Sequence, residues 1–241
     1  MSKNEFFLNN TLKALPPVFR VKNLSVLGGP RTAYRLLTEM QKSKMICKAG
    51  KGLYGKVAED PYLVAYLSNG GYIGFSSALY IQGLKTETER LIYIGSSRSG
   101  RVKFWANEFV LVNMGEYLFG TKKVERHGKE MLASTPVKTL FDMCHRPKYA
   151  DFYCMYRAMN WKPFSSTDWK ELARYCAMAP LSTRRRIGYI VDGKAPKGIL
   201  RKIESLNSDK GISFLYGKGG DYSAKWRIYD SEYVRRWIDE V

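Results

Sequence analysis

Cysteine and histidine are scarce in this sequence, which has four cysteines and two histidines among 241 residues. No two cysteines have the C-x-x-C spacing of zinc sites and redox motifs; they are Cys47, Cys144, Cys154 and Cys176. Disulfide frameworks belong to short chains that are much richer in cysteine. The sequence therefore predicts neither a disulfide framework nor a bound metal.

Long apolar runs are also missing. The longest, such as residues 62–67 and 109–112, are far shorter than the roughly 20 residues that span a bilayer. The first residues contain an acid, Glu5, and lack the sustained apolar core of a secretory signal. We therefore expect a cytoplasmic protein that has no membrane partner.

Acidic residues are outnumbered by basic ones. The chain has 22 Asp and Glu against 40 Lys and Arg, which gives a formal net charge of +18. Residues 1–57 hold 11 of the basic residues and 2 of the acidic ones, so half of the excess lies in about a quarter of the chain. Such a charge excess predicts a polyanionic partner, and its position predicts that the N-terminal part binds it.

The first 57 residues have the pattern of a winged helix-turn-helix. Apolar residues at helical spacing predict helices over residues 5–15 and 21–27, and a Gly28-Gly29 turn precedes an amphipathic helix over residues 30–43. Residues 45–48 and 52–57 then predict two short strands joined by a basic turn, which is the arrangement of a wing. The alternative is a small helical domain with ordinary solvated charges.

The start of the third predicted helix is the expected DNA-reading surface, because such a helix enters the major groove. Four side chains are predicted to reach base edges and phosphates there: Arg31, Thr32, Tyr34 and Arg35. Three lysines on and beside the wing are expected to contact the sugar-phosphate backbone: Lys44, Lys48 and Lys51.

The remaining residues predict a larger domain of mixed α/β structure, in which small antiparallel sheets are packed by helices. Helical patterns cover residues 58–84 and 136–191, and alternating apolar segments between residues 91 and 132 predict a sheet. A hairpin over residues 212–229 and a helix over 231–240 are expected at the end. The predicted fold class is therefore α+β, with a DNA-binding domain at 1–57 and a second domain at 58–241.

Two segments of the second domain have distinctive motifs. Residues 71–84 read GYIGFSSALYIQGL, and residues 132–142 read LASTPVKTLFD. The first resembles the "YISF-x-SAL-x-x-x-GL" stretch of the AbiEi-type antitoxins, the regulators of AbiE-like type IV toxin–antitoxin systems. The second is similar to that family's "vATPEkALlDl" element, with Val137 in place of the usual Glu. The winged helix and its Gly52-Leu53-Tyr54 ending fit the same family.

This resemblance implies a repressor of its own operon that binds inverted repeats in its promoter. It further implies that the C-terminal domain counteracts a nucleotidyltransferase-like toxin without forming a stable complex, and that no cofactor is required. The candidate carriers of antitoxin activity are six basic residues, which we call the C-terminal basic surface: Arg184, Arg185, Arg186, Lys197, Arg201 and Lys202. The alternative for these residues is a solvated, salt-bridged face without a partner.

Two other binding functions stay open at this point. One is an RNA-binding protein that uses the C-terminal basic surface together with exposed aromatic rings such as Tyr189 and Trp226. The other is a stand-alone winged-helix regulator that has no toxin. Both keep a nucleic acid as the partner.

An enzyme is disfavoured. Asp142 with His145 or His127 is a conceivable acid–base pair, but the sequence has no nucleophile elbow, metal cluster or paired carboxylates. Lys138 and Asp142 lie four residues apart in a predicted helix, which favours an intrahelical ion pair for Asp142. We therefore expect no catalytic residues.

Overall fold

A computed structural model describes residues 3–208, 210–231 and 234. Over this part of the chain the fold is α+β, as predicted, with ten helices and three small sheets. The chain divides into two compact units that interleave along the sequence. The first contains Met1–Ile73, Glu89–Leu118 and Lys123–Leu132, and the second contains Gly74–Thr88, Phe119–Lys122 and Ala133–Val241.

The first unit opens with the elements of a winged helix-turn-helix. They are α1 (Lys3–Ala14), β1 (Val18–Phe19), α2 (Lys22–Ser25), α3 (Gly29–Lys42), β2 (Ile46–Gly50) and β3 (Leu53–Lys56). The strands form a sheet in the order β1-β3-β2, and β3 pairs antiparallel with both neighbours. The helices and the wing agree with the sequence-based prediction. Strand β1 is missing from that prediction because two residues are too few to show an alternating pattern.

Helix α3 is fixed by an apolar stripe along one side. The stripe consists of four side chains that are at most 4% exposed: Ala33, Leu36, Leu37 and Met40. Buried residues from the neighbouring elements complete this core: Leu8, Leu15, Phe19, Leu24 and Ile46. Gly28 and Gly29 make the turn before α3 with φ angles of 151° and 81°, which favour glycine. Because the stripe is buried, the opposite side of α3 faces solvent.

Helix α4 and a six-stranded sheet follow the wing. Their bounds are α4 (Pro61–Asn69), β4 (Tyr72–Ile73), β5 (Leu91–Ser96), β6 (Gly100–Phe104), β7 (Asn107–Asn113), β8 (Thr121–Arg126) and β9 (Lys129–Ser134), and the strand order is β6-β7-β5-β4-β9-β8. The predicted antiparallel pairing holds for β4 with β5 and for β6 with β7, whereas β5 and β7 run parallel. Strand β6 lies at the edge of the sheet. The chain then returns antiparallel as β7, which lies between β6 and β5.

The compact unit that contains the wing extends past residue 57. A Cβ atom at Gly55 in β3 would lie 2.6 Å from Val64 of α4 and 2.7 Å from the ring of Phe104 in β6. The wing therefore packs against α4 and β6 with no room for a side chain at this position. The predicted border between residues 1–57 and 58–241 does not coincide with the compact units, and the separate roles of these two parts stay a prediction.

The second unit is mainly helical and has one small sheet. Its elements are α5 (Phe75–Ile81), α6 (Pro136–His145), α7 (Phe152–Trp161), α8 (Ser166–Met178), α9 (Leu181–Val191), α10 (Lys197–Ser205), β10 (Ser213–Phe214), β11 (Asp221–Ser223) and β12 (Ile228–Asp230). The sheet order is β10-β12-β11, and β10 and β12 run parallel rather than antiparallel. The predicted final helix at 231–240 lies largely outside the described residues.

A buried ion pair lies in the core of the second unit. Lys138 and Asp142 of α6 are hydrogen-bonded to each other, and both side chains are completely buried. The Lys138 ammonium group is 5.1 Å and 5.0 Å from the ring centroids of Phe119 and Phe141. Desolvation lowers the pKa of Lys138, and the Asp142 carboxylate opposes this shift. The predicted intrahelical ion pair is confirmed, and its burial makes it a feature of the core.

Replacement of one partner of this pair should destabilise the protein strongly. Lys138→Met leaves Asp142 buried without its cation, so we expect the free energy of unfolding to fall by about 3–5 kcal/mol. The double variant Lys138→Met/Asp142→Leu removes both charges and should recover most of that loss. Urea unfolding of the three proteins measures this difference. Equal destabilisation by the single and double variants would contradict a coupled pair.

Candidate nucleic-acid interface

The outward side of α3 presents three of the four side chains predicted to read DNA. Arg31 is exposed, Tyr34 is 61% exposed, and the side chain of Arg35 is 71% exposed. Arg35 approaches Glu39, one turn further along the helix, only to 4.0 Å. Exposed pairs of this kind contribute little free energy, so the guanidinium group can exchange this contact for a phosphate or a base edge.

Thr32 differs from these three side chains because it is directed at the turn. A Cβ atom at Gly28 would come within 3.0 Å of the Thr32 hydroxyl oxygen and 3.2 Å of its Cβ. Thr32 is accordingly half-buried. Its hydroxyl lies beside the backbone of the turn that starts α3, and its contact with DNA stays a prediction.

The wing places two of the predicted lysines in solvent. Lys48 lies in β2 and Lys51 lies at the tip between β2 and β3, and both are exposed. Gly52 completes the tip with a φ angle of 67°. Lys56 at the end of β3 is different, because burial lowers its pKa and its ammonium group is 3.8 Å from the Glu59 carboxylate. The tip of the wing is therefore its more accessible cationic end.

Arg20 is a basic residue that the sequence-based prediction did not include. It follows β1 directly and is exposed. Its Nη1 atom lies 3.7 Å from the position that a Cβ on Gly52 would take, so the guanidinium group is beside the tip of the wing. No sequence signal links Arg20 to the wing, because the pairing of β1 with β3 brings them together. We call Arg31, Tyr34, Arg35, Lys44, Lys48, Lys51 and Arg20 the α3–wing surface.

Lys44 lies two residues past the end of α3 and has a left-handed backbone conformation. Its φ angle is 58°, and the amide of the next residue, Met45, donates to the Met40 carbonyl in the last turn of the helix. Glycine is the usual residue at such a helix end because a Cβ atom is strained there. The side chain of Lys44 is exposed. Lys44 therefore combines a strained backbone with a cation on the α3–wing surface.

Three members of the C-terminal basic surface point inward, contrary to the prediction. Arg184 donates to the carbonyl oxygens of Ala179 and Leu206. Arg186 donates to the carbonyl oxygens of Phe214 at 2.7 Å and Cys144 at 3.1 Å. Both guanidinium groups thus bind backbone acceptors at the ends of other elements, which explains why a run of arginines is not fully solvated.

Arg185 departs most from the predicted exposed position, since it is only 1% exposed. Its guanidinium group donates to four oxygen atoms of one loop and strand: the carbonyl oxygens of Ser208, Lys210 and Gly211 and the hydroxyl of Ser213, at distances of 2.7–3.3 Å. Five donors in a rigid fork suit this role. The prediction that Arg185 lies on an exposed surface is wrong, whereas Lys197, Arg201 and Lys202 are exposed on α10.

The aromatic rings that the RNA-binding alternative uses are also inside. Tyr189 is 3% exposed and donates to Asp230 at 2.8 Å, and Trp226 is completely buried and donates to Asp192 at 2.8 Å. A Cβ atom at Gly188 would fall 2.0 Å from the Trp226 ring, so the ring packs directly on the backbone of α9. Neither ring is accessible for stacking on a base.

The residues considered for acid–base chemistry have structural contacts. Asp142 is held by Lys138 in the core. The ring of His145 lies 3.2 Å from the Thr183 hydroxyl and is stacked against Phe141. Burial, assisted by the nearby cations Arg146, Lys138 and Arg186, lowers the pKa of His145 to about 4. His127, in the first unit, is exposed and lies 3.6 Å from the Asp60 carboxylate.

The chain matches no family model and no curated protein. A solved structure with a similar fold is that of the RV2827C protein from Mycobacterium tuberculosis, with a TM-score of 0.67 and 14% sequence identity. The match covers 97% of this chain and 92% of that chain. The two proteins therefore share a fold over almost their full lengths. In the described part of this chain, none of the helices has the length and apolarity to cross a membrane.

Two substitutions of Lys44 separate the effect of its strained backbone on stability from the effect of its charge. Lys44→Gly should raise the free energy of unfolding by about 0.5–1 kcal/mol, because glycine accepts the left-handed conformation. Lys44→Ala is the matched control, since it removes the same charge but keeps a Cβ atom. Chemical denaturation of both variants measures the effect. Equal stability of the glycine and alanine variants would show that the backbone at this position is not strained.

Proposed function

We propose that this protein is a sequence-specific DNA-binding regulator that reads duplex DNA with the α3–wing surface. The observation that carries the proposal is the two-sided character of α3. Its apolar stripe is buried, while Arg31, Tyr34 and Arg35 project from the other side near its first turns. The major groove is wide enough to admit a helix, and arginine forms the commonest specific contact, to the O6 and N7 atoms of guanine.

The cations around the helix supply the contacts to phosphate in this proposal. Lys44 lies just past the C-terminus of α3, and Lys48, Lys51 and Arg20 lie on or beside the wing. Contacts from such residues to the sugar-phosphate backbone fix the register of the reading helix but carry little sequence information. Each of them also releases a counterion from DNA, so affinity should fall steeply with salt.

The proposed operator is the promoter of the protein's own gene, with inverted repeats. Two copies of a helix-turn-helix can read half-sites that lie about 10 base pairs, or one helical turn, apart. The protein then acts as an autorepressor. This part of the proposal rests on the resemblance of residues 71–84 and 132–142 to AbiEi-type antitoxins.

The same resemblance supports an antitoxin role for residues 58–241, against a nucleotidyltransferase-like toxin and without a stable complex or a cofactor. With Arg184, Arg185 and Arg186 bound to backbone carbonyls, the exposed candidates for that role are Lys197, Arg201 and Lys202 on α10. The alternative, a stand-alone regulator, uses the same DNA-binding surface. The two differ in whether a toxin is counteracted, whereas both require operator binding.

Loss of the two arginines of α3 should weaken specific DNA binding strongly and leave the fold intact. For Arg31→Ala/Arg35→Ala, we expect affinity for the DNA upstream of the gene to fall by at least about 30-fold, because each good base contact contributes roughly 1–3 kcal/mol and two are lost. Both side chains are exposed, so the free energy of unfolding should change by less than about 0.5 kcal/mol for each. Electrophoretic mobility shift with unrelated duplex as competitor measures the affinity.

The matched control is Lys197→Ala/Arg201→Ala, which removes the same charge from exposed positions on α10. It should bind the upstream DNA as tightly as the wild-type protein. If both double variants lose affinity equally, the interaction follows net charge and the reading role of α3 is wrong. If neither loses affinity, the α3–wing surface is not the interface.

A further inference from the structure

Helix α7 carries an exposed row of aromatic and basic side chains that the DNA-binding proposal does not use. Tyr153, Arg157 and Trp161 follow each other at intervals of four residues, so they lie along the same side of the helix. Tyr153 is 42% exposed and Trp161 is 69% exposed. Tryptophan is highly buried on average, which makes so large an exposed area unusual for a ring with only structural contacts.

The side chains of this row are arranged so that planar groups can stack on them. The guanidinium carbon of Arg157 lies 5.6 Å from the ring centroid of Tyr153, within the distance of a cation–π interaction. Arg157 and Trp161 also line an open cleft of about 170 Å³. Residues 84–87, which include Lys85 and Glu87, also line the cleft. The Trp161 ring and the Arg157 guanidinium group therefore line a space that a ligand can enter.

The charge of this region favours an anionic ligand. Residues 152–165 contain two basic residues, Arg157 and Lys162, and no acidic residue. Both basic side chains are exposed. In the cleft lining, Lys85 is largely buried and 3.5 Å from the Asp151 carboxylate, and Glu87 is exposed. Arg157 and Lys162 thus stand beside the exposed rings, against the exposed acid Glu87 of the cleft lining, in a chain whose net charge is +18.

We infer that the Tyr153–Arg157–Trp161 row is a binding site for single-stranded nucleic acid. Unpaired bases stack on aromatic side chains and on arginine planes, and the adjacent cations bind the phosphates. A duplex hides the faces of its bases and cannot make these contacts. Tyrosine, tryptophan and arginine also dominate protein interfaces. The two exposed cations Arg157 and Lys162 outnumber the one exposed acid of the cleft lining, Glu87, which favours the polyanion over a protein.

This site is independent of the proposed operator binding, because the row shares no residue with the α3–wing surface. The test uses the full chain and fluorescence anisotropy with labelled single strands of about 12 nucleotides, within the usual site size, as RNA and as DNA. Excess unlabelled duplex DNA of unrelated sequence occupies the α3–wing surface. The salt concentration is about 0.15 M, so that weak long-range attraction is screened.

Wild-type protein should bind the single strands, and Trp161→Ala should weaken that binding about 5- to 100-fold, the range expected for the loss of base stacking. Trp161→Phe keeps a ring and should retain most of the affinity. Trp105→Ala is the matched control, since Trp105 is 54% exposed in the first unit and should not affect binding. A preference for RNA would assign the site to RNA, and equal affinity would assign it to single strands of either kind.

Three results would overturn the inference. The first is an absence of single-strand binding by the wild-type protein, which would leave a protein partner as the explanation of the exposed rings. The second is equal affinity of wild type and Trp161→Ala, which would place the contacts elsewhere. The third is binding of duplex RNA with the same dependence on Trp161, because stacked and paired bases cannot use the ring.

Discussion

The burial of one stripe of α3 is the constraint from which the DNA-binding proposal follows. Ala33, Leu36, Leu37 and Met40 remove their apolar surface from water only if α3 packs on the small core with a single rotation about its axis. That rotation places Arg31, Tyr34 and Arg35 outside, where all three side chains are exposed. The glycine turn before α3 and the pairing of β1 with β3 then place the wing and its cations in the same compact unit as α3.

The positive charge of the chain has two structural fates. On the α3–wing surface the cations face solvent, whereas Arg184, Arg185 and Arg186 donate to backbone carbonyls. The acceptors of Arg185 lie 23–28 residues further along the chain, so the arginine ties a distant loop to α9. Four oxygen acceptors at its Nη1 and Nη2 atoms offset the cost of burying the Arg185 guanidinium group. Net charge alone therefore does not identify a binding surface, and the partners of each cation have to be known.

Local patterns in the sequence predicted the helices, the wing and the exposed side of α3, because these depend on periodicity and turn residues. The contributions of Arg20, the parallel pairing of β5 with β7 and the burial of Trp226 depend on contacts between distant segments, which carry no local signal. For this reason the prediction that the rings of Tyr189 and Trp226 are exposed is wrong. The row on α7 could not be predicted either. Aromatic residues in a helix are typical of a buried side, and only the packing of α7 shows that Tyr153 and Trp161 are exposed.

The most direct test of the account is a lysine acylation footprint of the full chain, read by mass spectrometry, with and without the duplex from upstream of its own gene. We expect the duplex to protect Lys44, Lys48 and Lys51, which lie on the α3–wing surface, and to leave the exposed Lys197 and Lys202 of α10 unchanged. Protection spread evenly over all exposed lysines, or confined to α10, would contradict the claim that α3 and the wing form the DNA interface.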